Sequence, residues 1–206
     1  MTDPNNDTAD IAWLRNLAAE GAATPMGGGS ILMAAGLIFG VTSIAHWTVA
    51  SGLIDVEPQA FSLIWLVATV VFLCTLAVLI LRKSGSGGVT TAVDRATRAA
   101  WSATGWGIFA MFASIAVVSM QLGESSLIIL SLAPSIIMVF YGLGWAVSAA
   151  MTRSKPLGGL AVASFIAAPL LALLTNQPAL YLGYAACLFL LMAVPGFLLM
   201  RAANRG

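Results

Sequence analysis

Six stretches of this sequence, the shortest being Leu157 to Leu174, contain no Asp, Glu, Lys or Arg. The others are Ile31 to Ile54, Ala60 to Leu81, Ser102 to Leu122, Ser125 to Met151 and Ala179 to Met200. An α-helix needs about 20 consecutive, mostly apolar residues to cross a bilayer. A charge at the bilayer centre costs about 2.5–3.5 kcal/mol even on the most lenient insertion scale, so charge-free runs of this length are what spanning helices require. The apolar residues are continuous rather than alternating, which argues against the strands of a transmembrane barrel. Across 206 residues the chain is 60% hydrophobic and 8% charged, whereas a soluble domain carries about 25% charged residues. The sequence therefore predicts an all-α integral membrane protein, a six-transmembrane-helix bundle over residues 31–200. It is preceded by a segment of residues 1–30, interrupted by a polar loop at 82–101 and closed by a tail at 201–206.

The basic residues predict the orientation. Arg15 precedes the first run; Arg82, Lys83, Arg95 and Arg98 separate the second from the third; Arg153 and Lys155 separate the fourth from the fifth; Arg201 and Arg205 follow the sixth. All nine Lys and Arg thus fall on alternate connections, while Asp55, Glu57 and Glu124 occupy the others. The positive-inside rule then places both termini in the cytoplasm, N-in and C-in, and the expected location is the plasma membrane, in a bacterium the cytoplasmic (inner) membrane. Asp3, Asp7 and Asp10 precede the first basic residue, which is the wrong charge for a secretory signal peptide, so the first span is expected to be retained.

Thr8 to Gly21 reads as a short amphipathic helix, with Thr8 or Asp10 as N-cap, Ile11, Leu14, Leu17 and Ala18 on one side, and Gly21 as its stop. Trp13 and Arg15 on this helix, and Arg95 and Arg98 in the polar loop, are the candidate contacts to lipid headgroups or to a cytoplasmic protein. Gly27 to Ser30 and Arg82 to Gly88 read as flexible joints. Residues 90–101 suggest one or two helical turns. The first and third spans share Ala34-Ala35-Gly36, Ile38-Phe39 and Ser43-Ile44-Ala45 against Ala103-Thr104-Gly105, Ile108-Phe109 and Ser114-Ile115-Ala116. With single-residue shifts between blocks, this allows the chain to be drawn as three helical hairpins of one orientation.

Few residues can carry chemistry. His46 is the lone histidine and lies past the middle of the first span. An ionisable residue there is by default a functional candidate, and a neutral imidazole hydrogen-bonded to a neighbouring helix is its structural alternative. One histidine cannot supply a bis-histidine haem or a histidine zinc cluster from a single chain, but haem held by His46 and a methionine, or by His46 from two copies, stays open. Gly36 and Gly40 have the small-residue spacing that lets helix backbones approach, within the bundle or in a homo-oligomer. Pro134, Tyr141, Gly142 and Gly144 mark the fourth span as kinked, with a hinge or a small cavity near His46. Trp47, Trp65, Trp101, Trp106, Tyr181 and Tyr184 read as an interfacial aromatic belt. Cys74 and Cys187 lie within spans and read as small buried hydrophobes.

No paired carboxylates, catalytic triad or nucleotide fingerprint can be assembled, so no enzymatic activity, metal site or nucleic-acid partner is expected. The expected function is that of a non-enzymatic membrane component, regulatory or scaffolding, acting through packing, lipid or partner contacts. Two readings compete with it: an uncoupled carrier or channel for a small neutral or hydrophobic solute, and a haem- or quinone-associated protein using His46. Ion-coupled transport is disfavoured because the spans hold no carboxylate.

Overall fold

The structure, a computed structural model, describes Trp13 and residues 28–57, 59–83, 91–122 and 127–203. No strand occurs among them. Six helices are long and apolar enough to cross a membrane: α1 (Gly29–Ala50), α2 (Gln59–Arg82), α3 (Ala92–Gln121), α4 (Ile128–Thr152), α5 (Lys155–Ala172) and α6 (Ala179–Ala203). Trp13 is helical and exposed; the rest of the expected N-terminal helix, with Arg15, lies outside the described residues, as do residues 84–90, Glu124 and Arg205.

Helix boundaries follow local chemistry more than hydropathy. Helix α1 begins at Gly29, inside the expected flexible joint, and stops at Ala50 rather than Ile54. Its end is set by Gly52, whose φ of +73° is a left-handed conformation that L side chains disfavour. The helical turns expected over residues 90–101 are not a separate part of the 82–101 loop: residues 92–101 are continuous with the third apolar run in α3. The Thr91 hydroxyl accepts the Asp94 backbone N–H at 3.1 Å, which is the N-cap arrangement, and Asp94 places a negative charge in the first turn. Neither Gly nor Pro then interrupts the chain before Gly105. Helix α4 is not continuous: a turn at Leu132 separates Leu127–Ser131 from Ala133–Thr152. Pro134 sits in the first turn of the latter, where its missing N–H has no intrahelical carbonyl to serve. Residues Phe189–Ala193 of α6 are π-helical.

Glycines set how the helices meet. A side chain on Gly29 would strike the Gly196 carbonyl, and one on Gly36 the backbone of Ala193. Gly40 lies beneath the Phe189 ring. These three positions run antiparallel along α6, and α1 and α6 pack backbone to backbone between Gly29 and Gly36. Gly142 of α4 receives Phe165 of α5, Gly144 of α4 receives Trp101 of α3, and Gly107 of α3 receives Phe140 of α4. Packing is most extensive between α1 and α6 and between α4 and α5. Neither is a pair within the three expected hairpins, although the members of each hairpin do touch.

Burial is uneven. In the most apolar 18-residue window of each helix, 56% of residues are buried in α4, but only 6% in α2 and 11% in α3. Helix α2 packs on α1, and α3 on α4, so these two flank the other four. Trp145, Met138, Leu180, Leu188 and Met192 are fully buried between α4 and α6 and form the centre of the core. Among the described residues, half of the eight buried hydroxyls bond the carbonyl four residues back on their own helix: Thr42 to Ile38, Thr97 to Val93, Ser148 to Gly144 and Ser164 to Leu160.

Candidate functional site

His46 is placed by α1 at the end of the bundle that holds the 51–58 connection. Its Nδ1 accepts a hydrogen bond from the Trp65 indole Nε1 of α2 at 2.9 Å. A neutral imidazole that accepts at Nδ1 carries its proton on Nε2. Tyr181 of α6 stacks on the ring with a centroid separation of 3.5 Å and an interplanar angle of 28°, and Phe61 of α2 lies against it at 4.7 Å. One imidazole therefore joins three helices. Among the described residues no three of His, Cys, Asp or Glu come together as metal ligands, and the imidazole nitrogen left for any metal or haem iron is Nε2.

The same aromatic group shapes the seam between α1 and α2. Phe39 stacks with Trp65 at 6.4 Å and meets Phe72 at 5.2 Å. Phe39 and His46 are seven residues apart, as are Trp65 and Phe72, so each pair projects from one side of its helix at about 100° per residue. These rings fill one side of the seam. The side chains about a quarter-turn away are aliphatic, and there the two helices leave an open groove of about 630 Å³. Ile38, Val41 and Ala45 line it from α1, and Ile64, Val67 and Val71 from α2. Two further lining residues, Thr42 and Ala68, are buried, and the Thr42 hydroxyl is bonded to its own helix at 2.7 Å.

Other residues singled out in the sequence go elsewhere. Pro134, Tyr141, Gly142 and Gly144 are buried in α4. Tyr141 faces Trp101 at 6.3 Å, whereas the rings against His46 are Phe61, Trp65 and Tyr181. The proline-aromatic segment and the histidine thus have separate neighbours. Gly36 and Gly40 face α6. Arg95 and Arg98 are exposed near the start of α3. Cys74 is exposed on α2 and Cys187 half-buried on α6, both as free thiols.

Sequence reasoning treated Trp65 and Tyr181 as interfacial anchors and missed them as partners of His46. The signal was present on α2 alone, where Phe61 and Trp65 stand four residues apart on one face. A second network was also missed. Trp101 Nε1 donates to Ser148 Oγ at 3.1 Å, and that hydroxyl donates to the Gly144 carbonyl at 2.7 Å. Beside it the Trp145 indole donates to the Leu191 carbonyl at 3.0 Å. Comparison of the chain with protein-family models, curated proteins and solved structures finds no match in any of the three.

Proposed function

We propose that this protein is a non-enzymatic component of a membrane, regulatory or scaffolding, which acts through the lipid and protein contacts of its peripheral helices. In this reading all six helices span the bilayer, both termini face the cytoplasm, and the basic residues Arg82, Arg95, Arg98, Arg153, Lys155 and Arg201 lie along the inner headgroup region, in a bacterium that of the inner membrane. The observation that carries it is the uneven burial: α4 is the most buried of the six helices, while α2 and α3 each leave more than half of their residues exposed. A solute pathway would draw instead on polar or loosely packed residues between central helices, and there α1 and α6 meet backbone to backbone. His46 serves this reading as a clamp that holds α2 and α6 on α1.

The test is reconstitution of the purified protein in liposomes, with an absorption spectrum recorded for wild type and His46→Phe and a photoreactive residue placed at Leu66 or Phe109 in intact cells. The expected result is a colourless protein, no flux of neutral solutes, and discrete protein adducts from these two exposed positions. Solute flux would replace the proposal with the carrier reading. A visible band lost in His46→Phe would replace it with the haem reading.

A further inference from the structure

We propose that the groove between α1 and α2 is a binding site for a single hydrocarbon chain of a membrane lipid, drawn from the leaflet on the side of the 51–58 connection; the proposal rests on the membrane reading above and names one of its lipid contacts. Three observations converge on this occupant.

The first is chemical. The lining side chains are aliphatic apart from Thr42, and the Thr42 hydroxyl is already bonded to the Ile38 carbonyl. An occupant thus meets no free donor, and the only side-chain acceptor among the lining residues is the buried Thr42 oxygen, so the site recognises a tail rather than a headgroup. At about 630 Å³, the groove also falls within the roughly 300–1,000 Å³ typical of small-molecule sites.

The second is length. Along α1 the groove runs from Leu37 to Ala45, and along α2 from Leu63 to Val71. Eight residue steps at 1.5 Å give about 12 Å. One leaflet of hydrocarbon is about 15 Å deep, half of the roughly 30 Å core. A partner's spanning helix would need a seat about twice as long, so the dimensions select a chain and not a helix.

The third is position. The groove begins near the middle of α1, at Leu37, and runs from there toward the connection, and on α2 it lies in the half next to the connection, so most of its length falls at the depth of one leaflet's chains. Beside it, the rings of Phe39, His46, Trp65 and Phe72 pack against one another across the seam. Their small neighbours Ala45 and Ala68 do not fill the groove.

The experiment uses the full chain in phosphatidylcholine vesicles doped with a phosphatidylcholine whose acyl chain carries a diazirine, with adducts mapped after illumination. The groove residues Val41 and Val67 should be labelled roughly tenfold more than Leu66 and Val70, which are similarly exposed but outside the groove, a preference of about 1.4 kcal/mol. Ala68→Leu, which fills the floor, should remove that excess and leave labelling at Leu66 and Val70 unchanged, which also shows that the variant is still folded and embedded. Even labelling of all four positions in the wild type would overturn the site while leaving the membrane reading intact. Labelling at none of them would overturn both.

Discussion

Pro195 has no N–H to offer the Leu191 carbonyl one helical turn back, and the fully buried Trp145 indole supplies a donor to that carbonyl from α4. A bond of this kind between helices is worth about 0.6 kcal/mol on average in a membrane protein, and up to about 1.7. Trp145→Phe also leaves a void, so its expected cost is about 2 kcal/mol. Thermal or denaturant unfolding in detergent micelles measures it. In a Pro195→Ala background the carbonyl regains a backbone donor, and the same tryptophan substitution should then cost less. Equal costs in the two backgrounds would show that the indole contributes through packing alone. Glycine positions make a second contrast. Gly36→Ala drives a methyl into the backbone of Ala193 and should destabilise by about 1–3 kcal/mol. Gly105→Ala meets nothing within 4 Å and should be neutral or stabilising by up to about 1 kcal/mol, through reduced chain entropy in the unfolded state.

At the level of elements, a helix reaches as far as its caps and backbone permit, not as far as its apolar run. Helix α3 shows this best, since Thr91 starts it well before the hydrophobic segment. Loss of an N-cap hydroxyl typically costs about 1 kcal/mol. Thr91→Ala should therefore speed amide hydrogen exchange over residues 92–98 and leave residues 105–121 unchanged; an unchanged first turn would mean that contacts with the bundle, not the cap, hold it. The expectation that the spanning run begins only at Ser102 came from charge: Asp94, Arg95 and Arg98 mark the edge of the apolar run, but arginine is a good helix former and an aspartate is favourable in a first turn. The π-helical stretch in α6 had no such clue beyond Pro195, because its side chains are as apolar as those of the turns around it.

For the whole molecule, the contrast between a buried α4 and the more exposed α2 and α3 makes a prediction about surroundings. Nitroxide labels at Leu66 and Phe109 of the protein in lipid vesicles should be relaxed strongly by dissolved oxygen and weakly by a water-soluble nickel chelate. Labels at Met138 and Leu188, both fully buried, should respond weakly to both. Strong relaxation by the chelate at Leu66 or Phe109 would place those helices in water and contradict the membrane assignment. The clamp at His46 also operates at this scale, because its three partners belong to two helices that otherwise attach to α1 from different sides.

The number of helices long and apolar enough to cross a membrane, their all-α character and their approximate extents were legible because each depends only on contiguous residues: a charge-free run of sufficient length can satisfy its own backbone as a helix. Gly36 and Gly40 were legible as close-packing positions for the same local reason, that they lack a side chain. Which helices meet was not legible. In α1, α2, α5 and the first part of α6 (Ala179–Leu188) every face is nearly as apolar as every other, so no amphipathic stripe points toward the interior. Only the tertiary structure decided that Gly36 meets Ala193, that Trp65 and Tyr181 close on His46, and that Pro195 is answered by Trp145. Those pairings are settled by shape and by single hydrogen bonds between distant residues, in an interior where hydrophobicity no longer distinguishes inside from out.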